Sequence, residues 1–275
     1  MRVKFLRNGE LFDVRKNCRY TREKIQMERT EDMKITYIEH SGFYMETEDA
    51  DFLFDYYKGE IPKREKDKLL VVFVSHRHHD HYNPEIFSLI KEHPDTRYVL
   101  SKDVPVKKEV ARYEAQGVDL AAHITAVIKN QTYVMDMPKG EKLTIETLKS
   151  TDAGVAFLLS YKGKTIYHAG DLNLWLWAGE SKQFNENMTK AYFAQLDKLK
   201  GSKIDVAFVP LDPRQEKDAF AGMESFLSYT ESKAVFPMHM WGEYQIIDVF
   251  LQKHKECEGQ VRRLKREGES FELYV

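Results

Sequence analysis

The segment 68–75, KLLVVFVS, is a continuous apolar run of strand length that ends directly in a histidine cluster. Such a run, rich in β-branched residues, is typical of a strand that is covered on both faces. Asn83 and Pro84 follow as a helix start signal, with asparagine as the N-cap and proline in the first turn. A strand is predicted next at 97–101. Strand, loop, helix and strand form a βαβ unit, in which ligands collect at the carboxyl ends of the strands.

Further strands and helices are predicted on both sides of this unit. Residues 35–47 and 50–57 are two β-rich runs joined by a polar turn, which predicts a hairpin. The other predicted elements are, in order, strands at 142–150, 154–162 and 164–171, a helix near 185–199, a strand at 203–210, a helix near 218–229, a strand at 233–240, a helix near 243–256 and a strand near 270–275. Together they predict an α/β (α+β) chain folded as an αββα sandwich, with two mixed β-sheets flanked by helices.

The chain shows no low-complexity linker, internal repeat or charge block that would divide it. We therefore predict a single domain over residues 35–275. Residues 1–34 are rich in Arg, Lys and Glu with weak periodicity. We expect an N-terminal extension packed on the domain as an edge strand, a short helix or an oligomer contact, so that a homo-oligomer is compatible with the sequence.

The composition limits the binding partners and the cellular compartment that we expect. The formal net charge of −2 argues against a surface that binds nucleic acid, because phosphate backbones select clustered Lys and Arg. The two cysteines, Cys18 and Cys257, lie far apart, so no disulfide framework is indicated and a reducing cytoplasm fits best. No window resembles a signal peptide or a membrane span, and no membrane partner is expected.

The strongest chemical signal is the H-x-H-x-D-H run formed by His76, His78, Asp80 and His81. In an extended chain, residues two apart point the same way, so His76 and His78 can reach one ion. The turn into the helix carries Asp80 and His81 toward a second ion, which predicts a dinuclear metal site. The competing interpretation is a histidine-rich surface loop, which the buried strand before it and the helix cap after it disfavour.

The order of five motifs resembles the metallo-β-lactamase superfamily, and more closely its lactonase-like and phosphodiesterase-like branches. The motifs are His-Ser-Gly-Phe at 40–43, Phe-Asp at 54–55, the histidine run at 76–81, Gly-Asp at 170–171 and Pro-Met-His at 237–239. By this resemblance Asp171 bridges two metals and His239 completes the second site. Taken alone, Asp171 would suit a turn or an N-cap, and His239 a core histidine.

One position departs from the family pattern. A further histidine for the first metal is usual in the loop that here runs from 149 to 154, where Asp152 is the available ligand type. Asp152 is thus a ligand, a partner of a ligand, or a replacement that abolishes one metal site. As a ligand it would make the site harder, so that manganese or iron(II) is tolerated as well as zinc, the metal expected first.

A metal-held water loses a proton near neutral pH and becomes a nucleophile. Asp80 could steer that nucleophile as well as bind metal, and His168 could donate a proton to a leaving group or simply face the interior of its strand. His40 and Asp55 could orient the ligands or serve ordinary turn chemistry. Arg214 could bind a phosphate or carboxylate as a fork, or pair with a neighbouring acid.

Aromatic residues follow two of the expected ligands, in the stretch 172–177 and at Trp241, where they could wall a substrate pocket or pack in the core. The predicted function is a metal-dependent hydrolase that acts on a small-molecule lactone, ester or phosphodiester. A nuclease and a non-catalytic metal-binding or sensing protein with a degenerate first site are the alternatives. Fold alone does not decide among substrates.

Overall fold

The computed structural model describes residues 6–7, 10–11, 32–63 and 68–274. Within the predicted extension 1–34, two short strands, β1 (Leu6–Arg7) and β2 (Glu10–Leu11), pair antiparallel. Strand β3 (Asp32–Glu39) begins inside the predicted extension. The prediction that residues 1–34 pack on the domain otherwise lies outside the described residues.

Two sheets form the centre of the described chain. The seven-stranded sheet has the order β15-β3-β4-β5-β6-β7-β8, and the six-stranded sheet has the order β14-β13-β12-β11-β10-β9. The strands after β3 are β4 (Gly42–Glu46), β5 (Ala50–Phe54), β6 (Leu69–Val74), β7 (Arg97–Ser101), β8 (Ile124–Val127), β9 (Thr132–Asp136), β10 (Lys142–Lys149), β11 (Val155–Tyr161), β12 (Lys164–His168), β13 (Lys203–Pro210), β14 (Glu231–Met238) and β15 (Ser270–Tyr274). Both sheets mix parallel and antiparallel pairs.

Helices cover the outer faces of the two sheets. They are α1 (Leu89–Glu92), α2 (Lys107–Glu114), α3 (Lys182–Leu196), α4 (Ala221–Tyr229) and α5 (Gln245–Lys253). Short 3₁₀ segments lie at Pro84–Ser88, Leu120–His123, Pro138–Gly140, Asp197–Leu199, Pro213–Asp218 and Lys255–Cys257. The αββα sandwich predicted from the sequence is confirmed. No helix among the described residues has the length and apolarity that a membrane span requires.

Strand β6 shows why the sandwich forms around the apolar run at 68–75. All six of its residues are buried. Val71 and Phe73 belong to the core between the sheets, where Phe73 packs edge-on against Phe157 of β11. Val72 and Val74 face the opposite side, in the cluster that includes α1 and α2. A strand apolar on both faces is therefore central in its sheet and covered on both sides.

Most predicted elements are confirmed, with two kinds of difference. The run 35–47 is not one strand, because a tight two-residue turn at His40 and Ser41 divides it into β3 and β4. Helix α2 and strands β8 and β9 were not predicted, because their sequences show no clear hydrophobic periodicity. Strand β9 lies at the edge of its sheet, where exposed and half-buried residues alternate. Edge strands bury little apolar area, which weakens the pattern in the sequence. The predicted N-cap at Asn83 is confirmed, since its side chain accepts a hydrogen bond from Glu85 N.

The ends of several strands meet along one edge of the sandwich. Strands β5 and β6 are parallel neighbours, as are β12, β13 and β14. Hydrogen bonds join the two sheets here: Val155 N donates to Ser75 O at 3.0 Å, and His239 N donates to His40 O at 3.1 Å. The residues that directly follow these strands are therefore brought together across the interface of the sheets.

Candidate metal centre

Asp171 lies at the middle of the site, three residues after the end of β12. Its Oδ2 is 3.2 Å from His76 Nε2, and its Oδ1 is 3.1 Å from His81 Nε2 and 3.4 Å from His239 Nε2. Burial disfavours ionisation of Asp171, but the surrounding histidines outweigh this effect and hold its pKa well below the usual range. One carboxylate thus presents its two oxygens to two groups of histidines, as a bridging ligand does.

The histidine run divides between these two groups because it turns sharply after β6. The backbone nitrogens of His81 and Tyr82 both donate to His78 O at 3.0 Å. Asp80 and His81 are carried inward by this turn, whereas the side chain of His78 stays 43% exposed. The assignment of the two pairs of ligands to different ions stays a prediction, since one ligand atom each of His76, His81 and Asp171 also lie within 4.8 Å of one another.

The inner half-site, as we term it, consists of Asp80, His81 and His239, with Asp171 shared. These residues are all buried, and His239 Nε2 lies 3.7 Å from Asp80 Oδ2. The pKa of Asp80 lies well below its usual range, because histidine partners outweigh the effect of burial. His40 joins this group, since one ligand atom each of His40, Asp80, His81 and His239 lie within 4.8 Å of one another.

The outer half-site, as we term it, consists of His76, His78 and Asp152, again with Asp171 shared. The rings of His76 and His78 are 4.5 Å apart, and His78 Nδ1 is 3.6 Å from Asp152 Oδ2. One ligand atom each of His78, Asp152 and Asp171 also lie within 4.8 Å of one another. The side chain of Asp152 is 53% exposed, so this half-site faces the solvent.

Gly154 allows the loop of Asp152 to reach the end of β6. Its φ is 65°, and a Cβ at this position would lie 2.0 Å from Ser75 O. Only glycine tolerates this close backbone approach and the left-handed conformation together. The loop therefore packs directly on Ser75, which places Asp152 beside His78.

The donor set fits a divalent metal ion. The Nε2 atoms of His40, His76 and His81, together with Asp171 Oδ1, are buried and have no hydrogen-bond partner among the described residues. Buried polar atoms are rarely left unsatisfied, because each one loses its hydrogen bonds to water. Two ligands that each lie about 2.0–2.2 Å from a zinc ion are themselves about 3–4 Å apart. Three distances match that range: 3.1 Å from His81 Nε2 to Asp171 Oδ1, 3.2 Å from His76 Nε2 to Asp171 Oδ2, and 3.3 Å from His40 Nε2 to Asp80 Oδ2.

Asp55, which directly follows β5, orients His81. It is fully buried and accepts hydrogen bonds from Ser75 N (2.7 Å), Ser75 Oγ (2.6 Å) and His81 Nδ1 (2.7 Å). Burial alone would raise its pKa, but the histidines around it lower the pKa below the usual value. With Nδ1 of His81 occupied by a carboxylate, the Nε2 atom is directed at the site, as in many carboxylate–histidine–metal arrangements. The orienting role considered for Asp55 is supported.

Asp212, which follows β13, does the same for His239. Its Oδ2 is 2.9 Å from His239 Nδ1, and it also accepts hydrogen bonds from Arg214 Nε and Nη2. Its pKa is lowered to about 2, since these partners outweigh its burial. Arg214 thus pairs with a neighbouring acid, one of the two roles considered for it. No role was predicted for Asp212 from the sequence, although its place two residues after a parallel strand was a usable signal.

His168 has a different position from the one a proton donor would need. It is fully buried, its Nε2 lies 3.0 Å from Ser41 O, and its Nδ1 accepts a hydrogen bond from Gly170 N. Its ring stacks on Phe54 at 5.2 Å, and burial lowers its pKa. Both ring nitrogens are occupied by backbone groups, so the geometry favours the alternative of an inward-facing strand residue and gives no support to proton donation.

A pocket of about 300 Å³ opens above the two half-sites. It is lined by His78, Asp80, Thr151, Asp152, Asp171, Trp175, Trp177, Phe184, Met188, Arg214 and His239. Trp175 and Trp177 stack in parallel at 6.0 Å, and the indole nitrogen of Trp175 donates to Asp171 O at 2.9 Å. The aromatic stretch 172–177 is therefore shared between pocket wall and core, since Leu172 and Leu174 belong to the core cluster. Phe184 and Met188 of α3 had no sequence signal, because helix α3 packs beside the site only in the folded chain.

Comparisons with known proteins place the chain in a family. The model of the β-lactamase superfamily domain matches residues 34–187, which is more than half of the chain. A UPF0173 metal-dependent hydrolase from Alkaliphilus metalliredigens is 23% identical over 235 residues, which make up 82% of this chain and 92% of that protein.

Solved structures share the fold at low sequence identity. Igni18, a metallo hydrolase from Ignicoccus hospitalis, aligns with a TM-score of 0.59 and 17% identity over 89% of this chain and 99% of its own. The metallo-β-lactamase fold protein YhfI from Bacillus subtilis aligns with a TM-score of 0.52 and 16% identity over 88% of this chain and 99% of its own. With the family model matched over β3 to α3 and the fold shared, this chain belongs to the β-lactamase superfamily and has the metallo-β-lactamase fold.

Proposed function

We propose that this chain is a hydrolase that holds two divalent metal ions and cleaves a lactone, ester or phosphodiester bond in a small molecule. The observation that carries the proposal is the convergence of buried, unpartnered ligand atoms from His76, His81 and Asp171, of which Asp171 also lines the pocket. The relative from Alkaliphilus metalliredigens, which is named a metal-dependent hydrolase, supports the reaction class.

The two half-sites divide the ligands between two ions. Asp80, His81 and His239 would hold one ion, His76, His78 and Asp152 the other, and Asp171 would contact both. The donors are imidazole nitrogens and carboxylate oxygens, which suit zinc and also manganese or iron(II). When bound, such ions supply a nucleophilic hydroxide near neutral pH and polarise the bond under attack.

The residues of the chain add orientation and charge. Asp80 borders the pocket and is ionised at neutral pH, so it can accept a hydrogen bond from the attacking water as well as bind metal. Asp55 and Asp212 keep His81 and His239 in place through their Nδ1 atoms. Ligands held in this way need no rearrangement during the reaction.

The pocket favours a small substrate over a nucleic acid. Its volume of about 300 Å³ lies in the range of small-molecule sites, and Trp177, Phe184 and Met188 give it an apolar wall. Arg214 is the one Lys or Arg among its lining residues, whereas Asp80, Asp152 and Asp171 are acidic. A nuclease would need a basic track for the phosphate backbone, so this alternative has little support.

The test combines metal analysis with a small substrate panel. Protein purified without added metal is analysed for bound metals, then assayed on bis-p-nitrophenyl phosphate, p-nitrophenyl acetate and γ-butyrolactone. We expect close to two metals per chain and turnover of at least one substrate. Asp171→Asn should lose metal and turnover together, because the shared ligand is weakened at both half-sites. The matched control is Asp205→Asn, because Asp205 is a buried carboxylate that accepts a hydrogen bond from Thr165 N outside the site.

One observation favours a second candidate function. Asp152 stands where the family usually supplies a histidine, and it is half exposed. A chain that binds one metal at the inner half-site and turns over no substrate of the panel would be a metal-binding or sensing protein instead. Turnover that survives complete metal removal would contradict both functions. We also propose a cytoplasmic location, on the strength of the low cysteine content alone.

A further inference from the structure

His40 occupies a backbone position that disfavours its residue type. It is the first residue of the two-residue turn between β3 and β4, and its φ is 55°. Tight hairpin turns favour glycine or asparagine at positions of positive φ, and other side chains are uncommon there. Strain of this kind persists where the surrounding structure uses the residue, so the outlier points to a role for the His40 side chain.

The side chain of His40 is directed at the inner half-site. The residue is 2% exposed, and its Nε2 atom is buried without a hydrogen-bond partner among the described residues. This atom lies 3.3 Å from Asp80 Oδ2, a spacing typical of two atoms that bind the same ion. Asp80, His81 and His239 complete a group whose ligand atoms are all within 4.8 Å of one another.

Neighbouring groups hold His40 in this position. Its ring packs against the ring of His239 at 4.2 Å and against the ring of Trp241 at 4.4 Å. Its carbonyl oxygen accepts the hydrogen bond from His239 N, which joins the two sheets at the site. His239 and Trp241 also have positive φ, at 66° and 54°. The three residues with positive φ thus pack against one another beside the inner half-site.

We propose that His40 is a further protein ligand of the metal ion in the inner half-site. The inference rests on the metal centre of the proposed function and extends it. The inner ion would have three imidazole nitrogens, from His40, His81 and His239, besides the carboxylates of Asp80 and Asp171. A nitrogen-rich donor set favours zinc over manganese, so the inner half-site is the zinc-selective one.

The competing role for His40 is a hydrogen bond to Asp80 that only positions this carboxylate. Two substitutions separate the roles. His40→Gln keeps an N–H donor near the place of Nε2 but removes the imidazole. His40→Gly removes the side chain and also relieves the strained φ, so that loss of metal cannot be ascribed to a turn that no longer folds. The matched control is His123→Gln, because the imidazole of His123 forms a hydrogen bond with Thr96 O outside both half-sites.

The measurements do not depend on turnover. Zinc affinity is determined by competition with a chromophoric chelator, and the zinc positions are located by anomalous scattering in crystals of the zinc-loaded chain. We expect His40 Nε2 within about 2.3 Å of the inner zinc. Both variants should bind the inner zinc at least tenfold more weakly, while His123→Gln is unchanged.

Two results would overturn the proposal. An inner zinc that is bound without contact to His40, together with unchanged affinity in His40→Gln, would make His40 a positioning residue. A wild-type chain that binds no zinc, manganese or iron would overturn the proposed function as well as this inference. The two failures are therefore distinguishable.

Discussion

The inner and outer half-sites share Asp171 but differ in the exposure of their other ligands: those of the inner half-site are all buried, whereas in the outer half-site only His76 is buried. In the inner half-site, His81 and His239 are buried, and each has a carboxylate on its Nδ1 atom. In the outer half-site, the side chains of His78 and Asp152 are 43% and 53% exposed. Burial and oriented partners reduce the freedom that a ligand loses when it binds metal. For the proposed dinuclear centre, we therefore expect an ion in the inner half-site to exchange more slowly than an ion in the outer half-site.

The largest expected effect separates the two ions directly. Asp152→Ala should reduce the metal content from two ions toward one and abolish turnover, because the outer ion loses a carboxylate ligand and the inner ion does not. Asp152→His restores the ligand type that is usual in the family, and it should keep both ions. Metal analysis and the substrate panel measure both effects. Two ions retained in Asp152→Ala would show that Asp152 is not a ligand.

The second prediction concerns the inner half-site. Asp55→Asn should reduce the affinity of the inner half-site for its ion by about 10- to 100-fold, as expected when the partner of a metal-bound histidine is removed. The outer ion should be affected less, because Asp55 hydrogen-bonds His81 directly. Chelator competition gives the two affinities. The control is Asp51→Asn, because Asp51 is a buried carboxylate of β5 that accepts a hydrogen bond from Tyr44 Oη. Equal weakening of both ions would remove the distinction between the half-sites.

The weakest effect that we predict concerns the pocket above the two half-sites. Trp177→Ala should raise KM for a substrate of the panel by roughly two- to twelvefold, which corresponds to an aromatic contact of about 0.5–1.5 kcal/mol. Metal content should stay at two ions, since the contacts described for the side chain of Trp177 are with Trp175 and Arg214, and neither of these is a proposed metal ligand. Tyr274→Ala, an exposed aromatic that does not line the pocket, serves for comparison. A loss of metal in Trp177→Ala would mean that the aromatic wall supports the centre itself.

Features that depend on neighbouring residues could be predicted from the sequence, whereas features that depend on residues far apart in the chain could not. The apolar run before His76 and the cap at Asn83 place the histidine run at a strand end, and both depend on neighbours in the chain. The position of Asp171 and His239 depended on the resemblance to a family, because no local pattern separates them from a turn aspartate and a core histidine. His168 looked suitable for catalysis until its burial and its two backbone partners were known.

Residue type and hydrophobic periodicity are properties of neighbouring positions, so the amino-acid order is enough to identify side chains that can bind metal and strands that are central. The folding of the chain fixes which ligands face solvent and which are buried. It also brought Asp212 to His239 and placed His40 beside Asp80, over 27 and 40 positions of the chain. Asp212 and His239 follow neighbouring strands of the six-stranded sheet, and His40 and Asp80 follow strands of the seven-stranded sheet. No local pattern in the chain encodes contacts between strands so far apart in sequence.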